Sequence, residues 1–257
     1  MLTSYSARVR RSLALSLLLL ALASARAQAA GRRGRPLFEP TDLELEDGGT
    51  LEADLQLGFV RGDSAARLVI PDIELDLGLS SNVELDVDGA YALEGAPGQS
   101  FSLDHAAPDS LWLSIKAGLE VGGYGLGVQL GPKFPTASGS HGLGGEALLL
   151  AGRHQGRWHL ALSGGAFIDP DGGMGRPRGL EGGLDLAIDF GALALTGELG
   201  GVHFTSGDAD QLVGTAGLSW SVSDALELSV VALVGVLGDG DRYGVLLGIS
   251  PKLRLWR

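Results

Sequence analysis

Residues Pro71–Tyr91 read PDIELDLGLSSNVELDVDGAY. Acidic side chains (Asp72, Glu74, Asp76, then Glu84, Asp86, Asp88) alternate with aliphatic ones on both sides of Ser80-Ser81-Asn82. Strict alternation is the signature of a β-strand with two unlike faces, and the polar trio between the runs marks a hairpin turn. Two folds satisfy such a hairpin. In a soluble sheet the carboxylates meet bulk water and the aliphatics a core. In a membrane barrel the carboxylates meet an enclosed wet lumen and the aliphatics meet lipid. The rest of the chain decides between them.

The chain opens MLTSYSARVRRSLALSLLLLALASARAQAA. Arg8, Arg10 and Arg11 precede an uncharged apolar run from Leu13 to Ala23, and small-x-small sequences follow as far as Ala29. This is the pattern of a cleaved secretory signal over residues 1–29. The run is shorter than the roughly 20 residues of a spanning helix. Residues 31–40, GRRGRPLFEP, are basic, Gly/Pro-containing and aperiodic, Asp42 to Glu46 alternates too briefly to cross a bilayer, and residues 30–48 read as a flexible periplasmic arm. Without cysteine there are no disulfides, thiolate metal sites or lipid-anchored lipoprotein N-terminus. The signal region holds four arginines and no acid, which leaves 15 basic and 31 acidic residues, a formal charge of −16. That balance argues against nucleic acid as a partner, since such binding rests on Lys and Arg meeting phosphate.

From residue 49 to 257 the alternation recurs in twelve segments: 50–60, 68–79, 83–93, 110–120, 124–134, 143–152, 158–168, 180–190, 192–204, 212–220, 226–237 and 242–250 or beyond. Most have the nine to eleven residues of a tilted membrane strand, and bacterial single-chain barrels have even strand numbers. Links after even strands are short and those after odd strands mostly longer. This asymmetry predicts an all-β, twelve-stranded antiparallel up-and-down transmembrane barrel in the bacterial outer membrane, with both termini in the periplasm.

Aromatic placement separates the two folds. On the apolar parity lie Phe59, Tyr91, Tyr124, Phe134, Trp158, Phe190, Trp220 and Tyr243, all near strand ends. Two girdles of rings around an aliphatic belt suit a bilayer, whereas a soluble core would favour large rings at its centre. The carboxylates are therefore predicted to face the lumen. On that parity stand Glu52, Asp54, Asp72, Glu74, Asp76, Glu84, Asp86, Asp88, Glu120, Glu146, Glu181, Asp185, Asp189, Glu198 and Glu227, with Lys116, Lys133, Arg242, Lys252 and Arg254 as the bases. Inward glycines such as Gly125, Gly127 and Gly131 suit a crowded interior or mark bulges.

GLSSNVELDVDGAY resembles an element recurring in outer-membrane putative transporters grouped with the MetA pathway of phenol degradation, matched at Gly78, Leu79, Ser81, Asn82, Glu84 and Tyr91. GPKFPTAS is similar to a later Lys-apolar-Pro-Thr-Gly element through Lys133, Phe134, Pro135 and Thr136, with Ala137 in place of the glycine. GDGDRYGVLLGIS resembles that family's final hairpin. The resemblance spans about residues 49–250 and implies a twelve-stranded barrel with a transport role.

The expected job is passive passage of small solutes, with an acidic wall favouring cations or neutral molecules. The alternative is a non-conducting structural or surface-interaction barrel with a filled lumen. Outer-membrane lipid, the barrel-assembly machinery and a small solute are the expected partners. No enzyme, cofactor or metal role is expected. His159 and Ser163 lie four residues apart on one strand, and His203 near Ser206 has no evident orienting acid. Asp208-Ala209-Asp210 and Asp239-Gly240-Asp241 read as solvated turns. Trp112, Phe167, Phe204 and Trp256 fall on the inward parity, and Pro251 is expected to end or bulge the last strand.

Overall fold

Each alternating segment is a strand in the structure, a computed structural model that describes residues 45–62, 66–95, 106–108, 110–136, 140–171, 175–237 and 241–256. The predicted signal segment and residues 30–44 lie outside the described residues, as do Ala137, Asp239 and Gly240. The strands are β1 Thr50–Gly62, β2 Ala66–Ser80, β3 Val83–Gly95, β4 Ala106–Pro108, β5 Leu111–Val121, β6 Tyr124–Phe134 and β7 Gly144–Gln155. They continue with β8 Trp158–Ile168, β9 Arg178–Asp189, β10 Leu193–Phe204, β11 Gln211–Ser223, β12 Leu226–Leu237 and β13 Asp241–Arg254. Long strands that follow one another in sequence pair antiparallel, β1 pairs with both β2 and β13, and β2 pairs with β3, so the sheet closes on itself. The three-residue β4 lies against Tyr91–Leu93, beyond the stretch of β3 that β5 covers, and adds no separate stave. Twelve long strands form the wall. There is no helix among the described residues.

The start of β1, the end of β13 and the tight turns share one rim. Residues 81–82, 122–123, 156–157, 190–192 and 224–225 make the turns, and Thr50 stands beside Arg254. Gly122 and Gly123 both have positive φ, the backbone that a two-residue hairpin needs to match strand twist. Closure leaves none of the twelve long strands as a free edge for another chain to pair with.

The distribution of polarity is inverted relative to a soluble fold. Leu126, Leu149, Leu162, Leu218, Val234 and Leu247 face outward and are exposed, while Asp54, Gln56, Asp72, Asp185 and Glu227 are buried inside. A closed sheet that hides its carboxylates and shows its aliphatics is the answer to the opening hairpin. Hydrocarbon is the solvent in which such a surface is stable.

Two local departures from simple alternation matter later. β2 carries a bulge at residues 70–71: Gln56 faces Asp72 while Gly58 faces Val69, and on the other side Val69 faces Ala92 while Asp72 faces Ala90. Proline cannot donate to a ladder, so Pro71 belongs at such a bulge. Pro251, by contrast, neither ends nor bulges β13. Glu52 faces Lys252 and Leu55 faces Ile249 in unbroken register on either side of it.

Gly131 is required by backbone approach rather than by luminal crowding. A Cβ there would lie 1.9 Å from the Leu113 carbonyl oxygen and 2.6 Å from Ser114 Cα, both main-chain atoms of the adjoining strand. Gly131→Ala is expected to cost about 1–3 kcal/mol through forced displacement of β5. The midpoint of denaturant unfolding, followed by loss of heat-modifiable gel mobility, measures it; an unchanged midpoint would show that the strand yields freely.

Candidate functional site in the barrel interior

Register converts the alternating acids into rows. Lys252, Glu52, Asp76, Asp86 and Ser114 stand side by side across β13, β1, β2, β3 and β5. One step toward the loop rim lie Asp54, Glu74, Asp88 and Trp112. Directly opposed like charges destabilise a sheet unless water or counter-ions screen them. Carboxylate oxygens of Asp54, Glu74 and Asp76 lie within 4.8 Å of one another, as do those of Asp76, Glu84 and Asp86. A second acidic group sits across the barrel, where Glu198 faces Asp185 in the β9–β10 ladder.

Lysines reach the rims of these rows. Lys116 Nζ is 3.4 Å from Glu84 Oε1, and Lys252 Nζ is 2.6 Å from Glu52 Oε2. Lys133 Nζ bridges Glu146 at 2.7 Å and Asp169 at 3.3 Å. Neutral groups hold others: Ser114 Oγ and Gln129 Nε2 donate to Asp86 Oδ2 at 3.0 and 2.8 Å, Thr215 Oγ1 to Glu198 Oε2 at 3.1 Å, and Ser221 Oγ to Glu227 Oε2 at 3.0 Å. Such bonds fix the orientation of these carboxyl groups.

Of the residues predicted to line the lumen, Glu52, Asp54, Asp72, Asp76, Glu84, Asp86, Lys116, Lys133, Glu146, Glu181, Asp185 and Glu198 are buried, and Glu74 and Asp88 half-buried. Of the eight aromatics, Phe59, Tyr91 and Tyr243 are exposed and Phe134 half-buried toward the loop rim; Tyr124, Trp158, Phe190 and Trp220 are exposed toward the turn rim.

Simple parity misses Arg67. Upstream of the bulge the inward set changes from even to odd numbers, so Arg67 turns inward, fully buried, and its guanidinium pairs with the carboxylate of Asp241. Asp241 is consequently a buried partner and not a solvated turn residue. The register shift between Arg61 and Gly62 on β1 gives Asp241 the inward place and leaves Arg242 exposed. Pro71 was the available signal. Arg254 and Trp256 are exposed at the turn rim, with Arg254 on the inward parity opposite Thr50, to whose Oγ1 it donates at 3.2 Å.

The remainder of the inner wall, starting at the end of the Asp54–Glu74–Asp88 row, is partly apolar. Trp112 packs with Leu148 and Leu150, Lys133 Nζ lies 5.8 Å from the Trp112 ring centroid, and Phe167 meets Phe204 edge-on at 5.7 Å beside Val202. At the turn rim residues 45–49 bend inward. Leu45 is buried, the Glu46 amide donates to Glu84 Oε2, and Lys252 pairs with the Glu46 carboxylate.

On the outside, His203 Nδ1 hydrogen-bonds with Asp210 Oδ2 at 2.9 Å. This bond, with the Phe204 amide donating to Oδ1, holds the Asp210 carboxyl below its ordinary range. Ser206 Oγ donates to Asp208 Oδ2 at 2.7 Å, away from that dyad.

No family model matches the sequence, and no curated protein matches it. Solved structures do resemble it. The crystal structure of the COG4313 outer membrane channel from Pseudomonas putida F1 superposes with a TM-score of 0.65 at 13% identity, covering 83% of this chain and 99% of that one. A KdgM porin superposes with a TM-score of 0.51 at 11% identity, covering 77% and 98%. The likeness is one of fold.

Proposed function

We propose that this barrel sits in the bacterial outer membrane after export through a cleaved signal peptide and passes small solutes passively, favouring cations and neutral molecules over anions. The observation that carries this reading is the row Glu52–Asp76–Asp86, enclosed within the wall and flanked by Asp54, Glu74 and Glu84. A lumen lined with one sign of charge concentrates counter-ions and repels co-ions. The fold shared with an outer-membrane channel and a porin supports it, as does the resemblance of the β2–β3 hairpin to MetA-pathway transporters. The rings at both rims act as girdles in this reading, lipid and the barrel-assembly machinery are the partners, and no chemistry is assigned to His203.

A second reading has its own observation. Gln56, Asp72, Asp185, Glu227, Val60 and Leu246 are shielded almost completely from solvent, which suits a lumen filled by side chains and a structural or surface-interaction role. Planar-bilayer recording under a sodium chloride gradient separates the two. Currents whose reversal potential has the sign of cation flow are expected. Absence of current would favour the filled barrel, and an anion-selective current would refute the acidic-wall mechanism.

A further inference from the structure

The barrel's bases are used unevenly. Inside the wall, Arg67, Lys116, Lys133 and Lys252 are each matched to carboxylates. Arg153 and Arg157 are different. Arg153 lies on the outward face near the end of β7, directly opposite Tyr124 on β6 and Leu160 on β8. Arg157 forms part of the turn that joins β7 to β8. Among the described residues neither side chain has an ion pair or a hydrogen bond. Both rest on rings instead: the Arg153 guanidinium lies 5.0 Å from the Tyr124 centroid, and that of Arg157 lies 5.4 Å from Phe190 and 6.0 Å from Trp158.

In a chain with so large an acidic excess, two unpaired guanidinium groups on one hairpin call for an anionic partner outside the protein. Their position restricts which. Arg153 shares the outer face with exposed Leu160 directly opposite it and with Leu126 and Leu162, which flank Ala151 two residues further from the turn, while Arg157 meets the rings of Trp158 and Phe190. A guanidinium stacked on an aromatic face keeps its N–H edge free, and that edge matches the oxygens of a phosphate in a fork. The rings beside it suit the boundary between acyl chains and headgroups. A freely diffusing anion would gain nothing from the aliphatic surface below. A lipid would gain from both.

We infer that Arg153 and Arg157, with Tyr124, Trp158 and Phe190, form a binding site for the headgroup phosphate of an anionic phospholipid in the leaflet on the turn side of the barrel. The inference rests on the membrane-spanning reading given above. Cation–π contacts preorganise the two arginines, so a phosphate meets donors already held at its level. The lipid's acyl chains lie against the leucines of β6 and β8. This site is separate from the lumen, and its loss leaves the acidic rows untouched.

The test uses the full mature barrel, refolded into vesicles and then extracted in mild detergent with phosphatidylglycerol and phosphatidylcholine in equal amounts. Native mass spectrometry reads which lipid remains bound. Retention of phosphatidylglycerol over phosphatidylcholine is expected, falling about fivefold for R153Q or R157Q and about twentyfold for the pair, while R178Q at the opposite rim changes nothing. Inorganic phosphate added in millimolar excess should not displace the lipid; displacement would make this a plain anion site and overturn the lipid assignment. Equal retention by the double variant and the wild type would also overturn it. A chain that never inserts into vesicles would overturn the membrane-spanning reading and this site together, whereas an inserted chain without lipid preference overturns the site alone.

Discussion

Replacing Asp76 and Asp86 together by asparagine is expected to move the reversal potential most of the way toward zero without weakening the fold. Under a tenfold salt gradient the ceiling for a perfectly cation-selective pore is about 59 mV. The two carboxylates are direct cross-strand neighbours inside the wall. Within one screening length, roughly 10 Å at 0.1 M salt, they act on a passing ion together. Asparagine keeps the shape, and an amide oxygen at position 86 still accepts from Ser114 or Gln129. Removing two opposed like charges relieves repulsion of about 0.2–1 kcal/mol, so the unfolding midpoint should hold or rise. Function and stability thus move in opposite directions, a combination that general damage to the barrel does not produce. Asp224→Asn, in an exposed turn, serves as the control. An unchanged reversal potential in D76N/D86N would remove this row from the mechanism.

The second large effect concerns the buried pair between Arg67 and Asp241. Arg67→Met is expected to destabilise the barrel by about 3–5 kcal/mol, because it takes the guanidinium away from a buried carboxylate. Both side chains are 1% exposed, so water cannot replace the lost partner without opening the wall. Adding Asp241→Leu should restore most of the loss, since a buried ion pair exchanged for packed apolar groups is often neutral or better. Denaturant titration of the single and double variants checks the pair as a cycle. A single variant as stable as the wild type would mean that Asp241 is hydrated and that the pair adds nothing.

Much of this architecture was readable from one-dimensional pattern. Alternation placed all twelve long strands, because a side-chain period of two is a local property of extended backbone. It also identified the buried acids of β1, β2 below the bulge, and β3, since each needs only its own strand's parity. The rings at the rims were likewise visible, because strand ends can be located from turn residues. Three features were not. Arg67 escaped because one extra residue at 70–71 reverses parity beyond it. Asp241 escaped because its burial depends on a register shift in β1, a strand far away in sequence. The in-register passage through Pro251 escaped because a missing donor is tolerated where the residues on either side keep their pairs.

Composition and alternation were thus enough to settle that the chain is a closed all-β barrel with acids within and aliphatics without, because facing is decided residue by residue along a strand. Which acid stands beside which was decided only by the folded sheet. Rows such as Lys252–Glu52–Asp76–Asp86 combine residues from opposite ends of the chain. Their alignment depends on how bulges and barrel closure slide each strand against the next, and no single strand carries that information.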